Sequence, residues 1–553
     1  VLPDVDLWAT VRPQRTVLAV VRNLTSLVRL LDIVPLLDSD NRLAVHFTLD
    51  SGSVFTAGLH GQLDRFGITL LDWEVAAKSS FDLVLAAHVN PSLAELDGPL
   101  LVVPHGAGYN RRLPSRTNEK DAPVGLSPHE LTVDGEVFPT VIGLSHERQL
   151  SDLALHTPAA AERARVIGDP TWDRIRAAEV RRSAYRAALG VEPGQRLVLI
   201  SSTWGERSLL GQRDELVERL LAQLPVDHYR VALVLHPNVW AYHGVGTVRA
   251  WFRDALDSGL LLIRPEDSWQ AALIAADLSI GDHGSVAFYG AALGRPFLNS
   301  ASGLDDLTPG SVTGRLVCTA PVLSVRDDLR EQVEQATASA ELVEITGDTL
   351  GLPGGSAAEL RRTCYELLKL DQPAHPPRML PISAPNPVRG AAITAFHVLY
   401  SVTESTVDIE RFPAILQRFR RISDTGDYLL VVDDDEVDPI LRATAEIIVR
   451  TGPLTGTELA DWAAHALAEG TAALVAAVSE HRCVLTFRDP ALGVVSLWPC
   501  APEPLRVFLA AVAVYRWRVS SRELEPGVKL SARLADGPVT EVCVESVRPL
   551  PQV

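Results

Sequence analysis

Short apolar runs rich in β-branched residues alternate with helix-spaced stretches along the first two thirds of the chain, and no other feature restricts the fold as strongly. T-V-L-A-V-V (16–21) is the first run and leads into L-T-S-L-V-R-L-L-D-I-V-P-L-L (24–37), which has helical spacing. Further strand-like runs follow at 44–49, 81–87 and 99–104. The pattern then repeats: runs at 197–202, 230–235, 260–263, 277–282 and 295–298 flank helical stretches at 215–224, 268–276 and 284–294. Runs apolar on both faces suit strands buried on both sides of a parallel sheet. Strands alternating with helices predict an α/β fold of doubly wound sheets.

At about 100–200 residues per domain, the 553 residues predict about three domains. Residues 1–165 read as an N-terminal Rossmann-like domain and residues 166–372 as a second Rossmann-like domain, which the resemblance given below makes the acceptor side and the nucleotide-donor side. Two such sheets in tandem face each other across a cleft lined by loops from both carboxyl edges. The Pro-rich stretch 373–387 reads as a linker, and 388–553 as a smaller C-terminal α+β accessory domain. In that last part a strand is expected at 428–432, helices near 455–480 and 503–515, and hairpins around 489–493 and 535–538.

The net charge of −18 excludes a general nucleic-acid surface, which needs clustered cations, but leaves room for one small basic pocket. Five Cys, with no C-x-x-C pair, predict reduced thiols rather than a disulfide framework or a zinc site. With no 18-residue apolar run and no secretory leader pattern, a cytoplasmic protein is expected. Peripheral membrane contact through a short amphipathic helix, and self-association, stay open. Lys is scarce beside Arg, as high-GC codon bias produces, so an actinobacterial source is expected.

The candidate chemistry lies where strands end. His105, in V-V-P-H-G-A-G-Y (102–109), stands where a strand opens onto the ligand crevice, placed to take a proton from an acceptor hydroxyl. Gly106 and Gly108 allow close approach of a substrate. His236, in L-V-L-H-P-N (233–238), recurs in the same setting and can contact a phosphate. In I-G-D-H-G-S (280–285), Asp282, His283, Gly284 and Ser285 lead into a helix whose first N–H groups form an anion site. Ser201, Ser202, Thr203 and Gly205 end another strand, with hydroxyls and amides suited to a phosphate. Glu266 and Asp267 precede a helix as candidates for the ribose or base. Each has a plainer reading: a helix cap for Asp282 or Asp267, a Ser/Thr turn for 201–205, a loop-bonded His for 105 and a capping His at a strand end for 236. The acidic run 433–436 is a solvated turn before it is a metal site.

Taken in order, H-G (105–106), V-I-G-D-P-T-W-D-R-I (166–175), S-S-T-W-G (201–205), H-P (236–237) and A-A-D-L-S-I-G-D-H-G-S-V-A-F-Y-G-A-A-L-G-R-P-F-L (275–298) resemble the CDP-glycerol glycerophosphotransferase family, within the GT-B glycosyltransferases. The resemblance covers about 100–300 and is absent beyond about 380. It implies a GT-B-like pair of Rossmann-type domains, with His105 as the base, His236 on the donor phosphate, and the Ser285 helix start holding the pyrophosphate. Where the family has Asp-x-Ser-Ser, this chain has Gly284 before Ser285, and Ala107-Gly108 stands where Thr-Pro is usual. The implied activity is transfer of a glycosyl or glycerophosphate group from a nucleotide-diphosphate donor, CDP-glycerol or a nucleotide sugar, to a hydroxyl acceptor. No tightly bound cofactor and no metal are expected.

Two other readings use the same fold. A UDP-N-acetylglucosamine 2-epimerase-like enzyme needs cleft carboxylates for proton transfer, and none stands out beside these histidines. A non-catalytic nucleotide-binding or scaffold protein would keep the fold without the chemistry.

Overall fold

The computed structural model describes residues 12–37, 40–50, 59, 63, 67–112, 122–265, 268–403, 406–420, 428–479, 482–498, 504–520, 523–535 and 537–548. Seven strands form the first sheet, in the order Leu70–Leu71, Leu43–Leu49, Arg15–Val21, Leu83–Ala86, Leu100–Val102, Val141–Leu144, Ala164–Val166. All its pairings are parallel. Arg15–Val21 shows why the run is apolar throughout. Val17, Ala19 and Val21 enter one core with Leu27 and Leu30, while Leu18 and Val20 enter another with Leu126 and Leu144. The helix Leu24–Ile33 starts sharply because Asn23 and Ser26 cap each other reciprocally.

The second sheet has five parallel strands, ordered Leu261–Ile263, Tyr229–Leu235, Arg196–Ser202, Leu278–Gly281, Phe297–Asn299. In each sheet the order reverses beside the strand that comes first in sequence. A crevice therefore opens at the carboxyl ends of Arg15–Val21 and Leu83–Ala86, and another at those of Arg196–Ser202 and Leu278–Gly281. Two parallel sheets presenting such edges to one cleft make a GT-B-like arrangement.

The chain passes between the halves twice. Ala164–Val166 is the last strand of the first sheet, and Gly168, at φ +72°, turns the chain out of it. Later the helix Ser356–Leu368 returns, placing Leu360, Cys364, Tyr365 and Leu368 in the core of the first half. The Pro-rich stretch is mostly exposed but anchored at Ile382. Ile382 is buried, and its carbonyl accepts from the Tyr185 hydroxyl at 2.8 Å and from Arg181 at 3.2 Å.

The C-terminal region is more specific than the expected α+β layout. Nine strands close into a mixed barrel: Ala395–Thr403, Thr406–Pro413, Lys529–Leu534, Thr540–Arg548, Val494–Trp498, Arg482–Phe487, Leu474–Ser479, Ile447–Arg450 and Tyr428–Asp433, which pairs back to the first. The helix expected near 455–480 stops at Glu469, and Leu474–Ser479 is a strand, because Val475 and Val478 go into the barrel wall. Both expected hairpins form. The helix Pro504–Val519 touches strands on opposite sides of the ring, and its residues from Val507 to Val514 are all buried. It fills the barrel, so its apolar surface is core. No helix among the described residues is long and apolar enough to cross a membrane.

Candidate functional site

His105 and His236, from different sheets, meet in one place. Both line a cavity of about 340 Å³ with Gly106, His283, Gly284 and Ser285, and both border an adjoining space of about 120 Å³ that reaches Ser201 and Asp282. His105 follows the strand Leu100–Val102 and is open to the cleft. The walls around it desolvate its cationic form, and Arg29, His88 and Arg111 add repulsion, so its pKa falls to about 4. At neutral pH the ring is uncharged and able to accept a proton.

His236 caps the helix Pro237–His243. Its Nδ1 accepts from the Asn238 N–H at 3.1 Å. An Nδ1 that accepts leaves the hydrogen on Nε2, so this ring offers an N–H donor. Its centroid lies 4.1 Å from that of Trp204. Burial, then Arg111 and His105, drive its pKa well below the ordinary value.

The helix Ser285–Ala292 begins in the same space. Its N-cap is Gly284, so no side chain caps its first N–H groups. Gly106 approaches it closely: a Cβ there would lie 2.8 Å from the Ser285 hydroxyl. The glycine of the first half thus lets its loop rest against the helix start of the second.

Other expected residues are turned inward. Asp282 is buried, and its carboxylate accepts from the Thr203 N–H and hydroxyl, each at 2.8 Å, the Leu209 N–H at 2.9 Å and the Gly284 N–H at 3.1 Å. It fastens the 203–209 loop to the helix approach. Thr203 therefore gives its hydroxyl to Asp282, while the Ser202 hydroxyl donates to the Thr203 carbonyl and accepts from the Leu210 N–H. The Ser201 hydroxyl faces Gly281, where an added Cβ would come within 2.7 Å. Gly205 adopts φ +84° at a turn and borders neither cavity. His283 is buried against Gly303 and lies 3.9 Å from Asp306. Glu266 and Asp267 lie outside the described residues.

The cleft also holds residues that reading the sequence missed. Asp50 and His88 end the strands Leu43–Leu49 and Leu83–Ala86, at the crevice of the first sheet. Asp50 is buried; it meets Arg22 at 3.2 Å, Asn90 at 3.0 Å and the His88 Nε2 at 3.3 Å. Desolvation outweighs that carboxylate and lowers the His88 pKa. Glu130 lines the cleft, accepting from the Gly125 N–H at 2.7 Å and the Ser127 hydroxyl at 2.8 Å, and burial raises its pKa. For Asp50 and His88 the signal was the one that marked His105, a polar residue directly after an apolar run; Glu130, after Ser127-Pro128-His129, had none.

A buried ion pair ties this edge to the second half. Arg29, on the first helix, meets Asp169 at 2.8 Å and donates to the Gly106 carbonyl at 2.9 Å. The other oxygen of Asp169 accepts from the Tyr289 hydroxyl at 2.6 Å. Burial alone would lower the Arg29 pKa, but Asp169 more than offsets it and the guanidinium is held above its ordinary value. Among the described residues no three His, Cys, Asp or Glu side chains gather as a metal site. In the acidic run, Asp434 is held by Arg450 at 2.6 Å and Glu436 by the Thr394 hydroxyl at 2.8 Å.

The fold and cleft are those of a GT-B-like two-sheet protein. No family model matches the chain, and no curated protein matches it. Among solved structures it is similar to a variant of the wall teichoic acid polymerase TagF soaked with CDPG, at 12% identity and TM-score 0.42, over 65% of this chain and 89% of that one. It is also similar to S. aureus MnaA with UDP, at 13% identity and TM-score 0.41, over 65% and 99% of the two chains. UDP-GlcNAc 2-epimerase from Neisseria meningitidis bound to UDP-GlcNAc gives 13% identity and TM-score 0.40, over 64% and 100%. At that distance no residue's role passes from those proteins to this chain.

Proposed function

We propose that the cleft holds a nucleotide-diphosphate donor and transfers its glycosyl or glycerophosphate group to a hydroxyl acceptor. One observation carries the reading: two uncharged histidines from facing sheets share a cavity with a helix start that no side chain caps. The diphosphate rests on the N–H groups at Ser285, where unpaired donors and the helix dipole favour negative charge. His236 donates its Nε2–H to a phosphate oxygen. His105 takes the acceptor's proton as that oxygen bonds to the donor's anomeric carbon or phosphorus. The bond from that centre to the leaving nucleotide phosphate breaks, and the nucleotide departs with the electron pair. Fixed donors stabilise the departing charge without reorganising. The motif resemblance across 100–300 supports the same chemistry.

Thermal shift with CDP-glycerol, UDP-sugars, GDP-sugars and free nucleotides tests this, with His236→Ala and Ser285→Ala beside the wild type. A ligand of the folded state raises the melting temperature. The expected result is a rise with one donor class that both variants lose. No rise with any nucleotide at millimolar concentration sinks the reading.

Sugar epimerisation has one observation in its favour, the cleft carboxylate Glu130 with its raised pKa. Conversion of UDP-N-acetylglucosamine to its C2 epimer without an acceptor, followed by NMR, would establish it in place of transfer.

A further inference from the structure

The 105–112 segment leaves the first sheet and is stitched to the second half. The Asn110 carbonyl accepts from the Thr308 N–H at 2.9 Å, Arg111 bridges Leu307, and the Arg112 N–H donates to the Asp306 carbonyl at 3.0 Å. This ladder delivers Arg111 across the cleft. Its guanidinium carbon lies 3.8 Å from the centroid of Trp204, the ring that also packs on His236. Its nearest carboxylate, Asp306, is 3.6 Å away and is engaged more tightly by Arg207, at 2.9 Å. The buried Arg111 Nε has no hydrogen-bond partner, and the side chain borders the cavity shared by His105, His236 and Ser285.

Three other cations of this region are committed to carboxylates. Arg29 is paired with Asp169, Arg22 with Asp50 and Arg207 with Asp305 and Asp306. The two catalytic histidines are uncharged at neutral pH. A diphosphate on the Ser285 helix start brings at least two negative charges, which backbone dipoles and neutral N–H donors only partly balance. A guanidinium stays charged even when burial lowers its pKa, as it does here.

Resting on the donor-site reading above, we infer that Arg111 is a phosphate-contacting residue supplied by the acceptor-side half: its loosely held guanidinium, stacked on Trp204 beside His236, belongs to a side chain that borders the cavity where the donor's diphosphate lies. The geometry makes donor binding depend on both halves, because the ladder at 306–308 that positions Arg111 belongs to the second half while the residue belongs to the first.

The test is calorimetric titration of the full chain with CDP, UDP, GDP and ADP and with their monophosphates. Wild type, Arg111→Ala, Arg111→Lys and Asp306→Asn are compared, each checked for folding by circular dichroism. Wild type should bind one diphosphate more tightly than its monophosphate. Arg111→Ala should lose about 10- to 100-fold in diphosphate affinity, the usual range for a charge-assisted contact, and much less for the monophosphate. Arg111→Lys should fall between, and Asp306→Asn should bind the diphosphate as well as wild type or better. Two results overturn the inference while leaving the donor site standing: equal diphosphate affinity in Arg111→Ala and wild type, or an Asp306→Asn loss as large as that of Arg111→Ala, which would mark Arg111 as a clamp between halves. Wild type that binds no nucleotide overturns the donor site and this inference together.

Discussion

The two sheet edges that face the cleft are built from the same strand order but furnished differently. The edge of the first half carries side chains: Arg22, Asp50, His88 and His105 stand one after another where strands end. The edge of the second half has tied up much of its polar side-chain set, Asp282 holding the 203–209 loop and Ser202 holding Leu210, and presents backbone N–H groups with His236 and His283. Under the proposed function the first edge moves the proton and the second holds the anion. A shared topology fixes where a ligand goes, whereas the choice of side chain or backbone at each strand end fixes what is done to it.

The largest expected effect comes from cutting the tie between the edges. Asp169→Ala leaves Arg29 buried and uncompensated, and chemical denaturation should show a loss of about 3–5 kcal/mol. A loss below about 1 kcal/mol would mean that the pair does not hold the halves in register. Next is Gly303→Ala. The position has φ +53°, and a Cβ would fall 2.0 Å from the His283 ring, so a cost of about 1–3 kcal/mol is expected, read from the melting temperature. Wild-type stability at that site would show that His283 moves freely and is not part of the anion-holding edge.

Acid should act on both edges at once. The His105 pKa is about 4 in the folded chain against an ordinary 6.5, and those of His88, His236 and His283 are depressed in the same direction. The unfolded chain therefore binds protons first. The stability His105 contributes is complete above about pH 6.5 and is lost as pH falls through its folded pKa of about 4, and the other three rings lose theirs in the same direction. Melting curves that do not change between pH 7 and 5 would show that the rings are solvated. The smallest effect is expected for Ser202→Ala, about 0.5–1.5 kcal/mol from losing the bond accepted from the Leu210 N–H. Nucleotide affinity should not change; a fall would return Ser202 to the phosphate ligands.

The two parallel sheets were legible because strands buried on both faces are apolar without interruption, as 16–21 and 197–202 are. His105 and His236 were legible because each directly follows such a run. Asp50 and His88 obey the same rule, but their runs are weaker: 44–49 contains His46 and Thr48. The inward turn of Thr203 was hidden because it depends on Asp282, about 80 residues away in sequence. Arg111 was out of reach for the same reason, its place being set by the ladder to 306–308. In the barrel, strands such as Thr406–Pro413 and Lys529–Leu534 alternate buried and partly exposed residues and give no continuous apolar run, and the helix that fills it reads like any buried helix.

The two passages of the chain between halves have a mechanical meaning. They run side by side: a Cβ on Gly168 would lie 3.0 Å from the Gly351 carbonyl, and Asp173 just beyond the first passage accepts from the N–H groups of Gly354 and Ser356 on the second. With the 306–308 ladder and the Arg29–Asp169 pair, these crossings pin the two halves at several separate places, so the spacing of His105 and His236 is set by the whole seam and not by either loop alone.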